Sequence, residues 1–171
     1  DQIGSVGNNF TAAAFAQRVL SRSRIRGIFL NRQAWDEGKF SPTDYGRNLG
    51  GDILFTTNDG KIESTIGYLH SIKSERFDDQ NGQIYGGIAY NGQNFRGFLD
   101  IQHVGKNYFS DMGFNSRIEN YDPENDKLVR IGYTNIGSFL DYYHYPKVSK
   151  NVNYHWSGLE NFVWSNDDGS G

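Results

Sequence analysis

A repeated alternation of apolar and polar side chains constrains the fold of this chain more than any other feature of its sequence. Successive side chains of a β-strand point to opposite sides of a sheet, so a period of two with one apolar face indicates a strand. The pattern is clearest in residues 84–104, IYGGIAYNGQNFRGFLDIQHV. After Asn91-Gly92, one predicted face carries Phe95, Gly97, Leu99 and Ile101, and the other carries Arg96, Asp100 and Gln102.

Asn91-Gly92 is the preferred pair for a tight hairpin turn. A type I′ turn needs a positive φ at both central positions, which Asn and Gly adopt most easily. We therefore predict that residues 84–104 form a hairpin with this dipeptide as its turn.

Similar alternation predicts strands in seven other segments: residues 9–19, 23–35, 45–57, 61–73, 128–134, 138–145 and 151–164. The links are short at 20–23, 58–60, 91–92 and 135–137, and long and polar at 36–44, 74–82 and 105–126. An up-and-down meander sends consecutive links to opposite ends of the sheet. Short turns at one end and long loops at the other are typical of bacterial outer-membrane barrels, and soluble barrels such as lipocalins show a milder version.

We therefore predict an all-β fold, an antiparallel up-and-down transmembrane β-barrel or a segment of a larger one, with roughly nine or ten strands. Residues 1–171 would form a single β-barrel domain or barrel segment, and the opening DQIGSVGNNF suggests a part of a longer protein. Since short turns of such barrels lie on the periplasmic side, we expect the long links outside the cell, with protease-sensitive sites near Phe40 and Phe77.

Composition agrees with many strands and close turns, because the 171 residues include 21 Gly, 12 Phe and 11 Tyr. The absence of Cys excludes disulfides and thiol catalysis. A net charge of −3 gives no electrostatic reason to bind nucleic acid. No apolar run approaches the ~20 residues of a membrane-spanning helix, but a spanning strand needs only ~9–11.

The segment VLSRSRIRGIFLNRQ at residues 19–33 is more specific. Together with YGRN at 45–48 and DMGF at 111–114, which follow in the same order, it resembles a family of large bacterial proteins that end in an uncharacterised outer-membrane β-barrel domain. In that family the barrel commonly follows a carbohydrate-binding module of the family-9 type. Ser21 and Ser110 depart from the Gly and Pro that the family tends to have there. The resemblance implies localisation in the outer membrane of Gram-negative bacteria and carries over no activity.

Charged residues of the alternating strands are candidates for the interior of such a barrel. They would form a salt-bridge network, or they would make the lumen anion-selective or substrate-binding. The lumen-facing candidates are Arg24, Arg26, Asp52, Glu63, Arg96 and Asp100.

Aromatic residues near the end of the chain form a second group of candidates. Such residues are typical of an aromatic girdle at a membrane–water interface. The same residue types would serve as stacking platforms for sugar rings. The candidates are Tyr143, Tyr145, Trp156 and Trp164.

Catalysis and metal binding have weaker support in the sequence. His155 and Ser157 would share a strand face in a His-x-Ser arrangement, as in outer-membrane phospholipases, but no third, orienting residue is evident. Asp122, Glu124 and Asp126 offer oxygen ligands for Ca²⁺, but the spacing lacks the Gly and the bidentate Glu of a full loop. We expect no catalytic residue, no metal and no cofactor.

The leading hypothesis is a non-enzymatic outer-membrane β-barrel that acts in transport as a channel, or as a membrane anchor, linked to glycan binding or uptake. Its partners would be the lipid bilayer, other outer-membrane or periplasmic proteins and glycans, but not nucleic acid. The alternative is a soluble glycan-binding β-barrel or sandwich, and an outer-membrane hydrolase of the His-x-Ser kind comes third. The apolar face distinguishes the first two, because it points outward in a membrane barrel and inward in a soluble one.

Overall fold

The computed structural model describes residues 7–36, 38–74, 79–110, 118–148, 151 and 153–169. Within these residues no helix is long and apolar enough to cross a membrane. The ten strands are β1 (Gly7–Val19), β2 (Ser23–Asp36), β3 (Lys39–Thr56), β4 (Ile62–Lys73), β5 (Gly82–Asn91), β6 (Phe95–Val104), β7 (Glu119–Asp122), β8 (Lys127–Arg130), β9 (Tyr133–His144) and β10 (His155–Asn166).

Eight of the ten strands form one antiparallel sheet in sequential order, from β1 to β6 and then β9 and β10. Strands β7 and β8 pair with each other in a separate two-stranded sheet. These pairings confirm the all-β, antiparallel up-and-down arrangement. Closure into a barrel is not observed in the described part of the chain, where β1 pairs only with β2 and β10 only with β9. The sheet is therefore open.

The strand register divides the sheet into two chemically different faces. On one face, which we call the apolar face, branched aliphatic side chains lie in the same row on six strands. On the opposite face, the polar face, the corresponding row is mostly polar. The apolar row is Ile25, Ile53, Ile66, Gly86, Ile101, Ile136 and Val163. The row on the polar face is Arg26, Asp52, Gly67, Tyr85, Gln102, Asn135 and Trp164.

The long loop predicted at residues 36–44 is wrong. Strand β3 begins at Lys39, and Lys39 pairs with Asp36, the last residue of β2. Pro42 is tolerated there because β4 pairs with β3 only from Gly46 onward, so the proline removes no ladder hydrogen bond on that side. The rings of Trp35 and Phe40 pack edge to face with centroids 4.6 Å apart, which stabilises the extension.

The predicted hairpin at residues 84–104 is confirmed, but its turn lies further along the chain. Asn91 still belongs to β5, and the N–H of Gly92 donates to the carbonyl of Phe95 at 2.9 Å. Neither Asn91 nor Gly92 is among the described residues that have a positive φ, so the turn is not type I′ at this dipeptide. The amide of Asn94 donates to the Tyr143 carbonyl at 2.9 Å, and this contact with β9 holds the turn in place.

The predictions for residues 128–145 are also wrong in detail. The predicted strand 128–134 is divided between β8 and β9, and the predicted turn 135–137 lies inside β9. Gly137 is opposite Asp100, whose carboxylate oxygen would lie 2.8 Å from any Cβ at that position. The glycine therefore makes room for a neighbouring side chain and is not a turn residue.

Link lengths follow the predicted alternation at most positions. Short links at 20–22, 57–61 and 92–94 share one end of the sheet, the turn end, with the longer link 145–154. The opposite end, the loop end, has the links 74–81 and 105–132, and also the link between β2 and β3, which is short and so breaks the predicted alternation. Phe77, the second predicted protease site, lies outside the described residues, and Phe40, the first, lies within a paired strand.

Candidate functional site

Arg26, Asp52 and Tyr85 form a hydrogen-bonded cluster at the centre of the polar face. Arg26 donates through Nε and Nη2 to the two carboxylate oxygens of Asp52, each at 2.6 Å. The hydroxyl of Tyr85 donates to Oδ2 of Asp52 at 2.8 Å. The Asp52 side chain is only 9% exposed, and three donors satisfy it. This ion pair fixes the Arg26 guanidinium, which is itself half exposed.

Gly67 makes the contact between Tyr85 and Asp52 possible. The two residues lie on β5 and β3, and Gly67 is between them in register on β4. A Cβ at this position would lie 2.5 Å from the Tyr85 hydroxyl oxygen. The tyrosine ring therefore crosses a whole strand because no side chain is in its path.

A groove of about 540 Å³ lies beside this cluster. Small and apolar residues of β1, β2 and β4 form most of its lining, and Arg26, Asp52 and Tyr85 supply the polar groups. The apolar lining residues on this face are Ala14, Ala16, Ile28 and Leu69. Such a groove suits a ligand with an apolar body and a few polar groups.

The other lumen-facing candidates lie on the same polar face, but they do not join the cluster. Arg24 is opposite Leu54, and Glu63 is opposite Ala89. Arg96 and Asp100 lie on β6, where Asp100 has glycine neighbours on both flanking strands. The sequence pattern thus placed all six candidates on one face, and the structure joins two of them, Arg26 and Asp52, in an ion pair.

The long link between β6 and β9 packs onto the polar face at the loop end. Its Phe109 ring lies beneath the Arg130 guanidinium, 3.9 Å from ring centroid to Cζ, and 4.2 Å from the Lys73 ammonium. Asn48 of β3 donates to the Phe109 carbonyl at 2.6 Å. These contacts hold the described part of the link against the sheet.

A small apolar cluster lies under this link. Val104, Tyr108, Ile118 and Tyr133 are buried together, and Leu69 of β4 packs against them. Burial raises the pKa of the Tyr108 hydroxyl above its ordinary value. Burial also lowers the pKa of Arg130, although Glu119, bonded to it at 2.5 Å, acts in the opposite direction.

The aromatic candidates do not form one lipid-facing belt. Three of them lie on the polar face by register: Trp156 is opposite Tyr143, which is two residues beyond Asp141, the partner of Arg96, and Trp164 is opposite Asn135. Trp164 stacks on Tyr133, centroids 4.2 Å apart, and Tyr145 lies in the link after β9. The three residues Tyr143, Trp156 and Trp164 therefore lie on the face opposite to the apolar row.

The contacts described for the catalytic and metal candidates are local ones. By register, His155 and Ser157 lie on the apolar face, where His155 stacks with His144 at 6.3 Å. The carboxylate of Asp122 accepts the N–H groups of Glu124 and Asn125, which makes it a turn cap. Among the described residues, no group of three or more His, Asp or Glu could hold a metal ion.

Sequence reasoning missed three important residues of the polar face. Tyr85 and Asp141 were hidden because their partners lie on other strands, which a pattern along one strand does not reveal. Gly67 lies in a regular strand, and only the cross-strand register shows that it leaves room for the Tyr85 ring.

No family model matches the chain, and neither a curated protein nor a solved structure matches it significantly.

Proposed function

We propose that this chain is a non-enzymatic wall of a β-barrel in a bacterial outer membrane, with the apolar face against lipid and the polar face lining the interior. The observation that carries the proposal is the exposed apolar row. Ile66, at its centre, is 60% exposed, and Ile53 and Ile101 are about half exposed. Contiguous exposed apolar surface of this extent on a sheet needs a partner, and lipid is a partner that covers a whole face.

Strand lengths support the same proposal. Strands β4, β5, β6, β9 and β10 have 10 to 12 residues each. A strand that crosses a bilayer at a tilt needs about 9–11 residues. Each of these strands is therefore long enough to span the hydrocarbon layer.

A contact between strands that are not neighbours supports the assignment of the interior. On the polar face, Tyr85 of β5 reaches Asp52 of β3 across β4. Side chains of second-neighbour strands converge on the concave side of a curved sheet and diverge on the convex side. A concave polar face and a convex apolar face match a membrane barrel and oppose a soluble one.

The two free edges require a partner in such a membrane. An unpaired strand edge in hydrocarbon leaves N–H and C=O groups without hydrogen bonds, at a cost of several kcal/mol per group. The eight strands alternate in direction, so β1 and β10 are antiparallel and suited to pair with each other or with intervening strands. The barrel we propose is closed in one of these two ways.

The link that packs onto the polar face supports a narrow interior for such a barrel. Phe109, held by Arg130 and Lys73, lies over the polar side at the loop end. An interior narrowed in this way suits a membrane anchor or a narrow channel better than a wide pore.

The proposal is tested directly by measuring whether the protein is soluble and folded with and without detergent. We expect the protein to be folded and monodisperse in detergent or lipid vesicles, and to aggregate in plain buffer. Circular dichroism and size-exclusion chromatography with and without detergent measure both properties. A folded, monodisperse protein in plain buffer would contradict the proposal and favour a soluble barrel or sandwich.

A further inference from the structure

Trp156 is held flat against the sheet at the turn end of the polar face. Its indole N–H donates to Oδ1 of Asp141 at 3.0 Å. Its ring also covers Gly158, since a Cβ there would lie 2.6 Å from Cζ2 of the indole. Two constraints therefore orient the ring, yet 59% of the residue is exposed. An exposed aromatic plane fixed in this way is prepared to receive a ligand.

Two carboxylates lie beside this plane, and a guanidinium lies on a neighbouring strand. A depression of about 380 Å³ lies beside the indole, lined by Phe139, Asp141, Gly158 and Glu160. Arg96 is the register partner of Asp141 on the next strand. Its Cζ lies 5.5 Å from the ring centroid of Tyr143. Two carboxylates thus border the platform, and the Arg96 guanidinium lies over the ring of Tyr143, the register partner of Trp156.

We propose that Trp156, Asp141, Glu160 and Arg96 bind one ring of a neutral saccharide. The C–H face of a sugar ring packs on the exposed π-face of the indole. Sugar hydroxyls donate to the carboxylates and accept from the guanidinium, so groups of both charges are used. An anionic ligand would be repelled by Asp141 and Glu160, and a cationic ligand would offer the Arg96 guanidinium no acceptor. A neutral polyol fits this mixed set best.

The other tryptophan of β10 provides an internal contrast. Trp164 stacks on Tyr133 with centroids 4.2 Å apart, so part of its ring is already covered.

The inference goes beyond the proposed function, because the site needs only β6, β9 and β10 and holds whether or not the apolar face meets lipid.

Titration of the detergent-folded protein with maltotriose, cellotriose and triacetylchitotriose tests the proposal, with tryptophan fluorescence as the readout. We expect saturable quenching by at least one of the three, and at least a tenfold loss of affinity in Trp156→Ala. Because Trp156→Ala also removes a reporter, calorimetry measures the same affinities. Asp141→Asn keeps the side-chain shape and is expected to weaken binding severalfold without unfolding the protein.

Two controls make each outcome decisive. Trp35→Phe, on β2, should bind the saccharide as the unchanged protein does. Choline serves as the cationic probe. Absence of binding by all three saccharides, unchanged affinity in both Trp156→Ala and Asp141→Asn, or tighter binding of choline than of the saccharides would overturn the proposal. Vesicle insertion, measured separately, should be unchanged in Trp156→Ala, so failure of this site is distinguishable from failure of the membrane assignment.

Discussion

The hydroxyl of Tyr85 donates a hydrogen bond to Asp52 at 2.8 Å across an intervening strand. The two residues belong to β5 and β3, and only the absence of a side chain at Gly67 on β4 lets them meet. The contact ties three strands together on the polar face. It also joins an aromatic ring to the ion pair between Asp52 and Arg26.

Gly67→Ala should therefore displace the Tyr85 ring. The new methyl group would overlap the ring and hydroxyl, and we expect a loss of about 1–3 kcal/mol in the free energy of unfolding. Urea titration of the protein in vesicles measures this loss in the free energy of unfolding. In a Tyr85→Ala background the same change at Gly67 should cost much less, because the ring is gone. Equal costs in both backgrounds would show that the crossing contact is unimportant.

Charge placed on the two faces should have opposite consequences. Leu99, half exposed on the apolar face, would lie in hydrocarbon, so Leu99→Arg should cost about 2–4 kcal/mol near the bilayer midplane and impair assembly. Gln102→Arg, on the polar face, loses only the hydrogen bond from Asn135 and should assemble. The fraction of folded protein recovered in the outer membrane measures both. Equal recovery of the two variants would contradict the assignment of faces.

Orientation can be tested with single cysteines because the sequence has no Cys. Asn125 lies in the turn between β7 and β8, on the loop end, and Val148, 95% exposed, lies in the link at the turn end. We expect a membrane-impermeant maleimide to label Asn125→Cys on intact cells. Val148→Cys should react only after the outer membrane is permeabilised, because short-turn ends are periplasmic. The reverse labelling pattern would overturn this orientation.

Alkaline pH should loosen the long link. Burial raises the pKa of Tyr108 above 10.0, so its hydroxyl stays neutral in the folded state while it ionises in the unfolded state. The contribution to stability is complete below pH 10 and is lost as pH rises through the raised pKa. We expect the free energy of unfolding to fall less steeply above pH 10 in Tyr108→Phe than in the exposed control Tyr145→Phe. Identical slopes would contradict this role for Tyr108.

Period-two alternation predicts much of this fold because most strands of the main sheet have one apolar and one polar face. The alternation alone places Leu99 and Asp100 on opposite faces of β6. The register then extends the same two faces to the neighbouring strands. The six charged candidates share a face for the same reason.

The turns and the site depend on contacts between strands, and these are less visible in a sequence. The dipeptide Asn91-Gly92 has the right intrinsic preference, but the turn lies at residues 92–94, where Asn94 contacts Tyr143 of β9. The platform at Trp156 likewise requires Asp141 of a different strand. Local propensity predicts elements, whereas packing between elements decides the details.

The central claim is that lipid covers the apolar face. Nitroxide spin labels at Leu99→Cys and Gln102→Cys, on opposite faces of β6, test it most directly when the protein is reconstituted in vesicles. If lipid covers the apolar face, the label at residue 99 collides with oxygen dissolved in the bilayer and is shielded from a water-soluble nickel complex. The label at residue 102 should not meet lipid. A label at 102 in contact with lipid, or a label at 99 shielded by protein from both reagents, would contradict it.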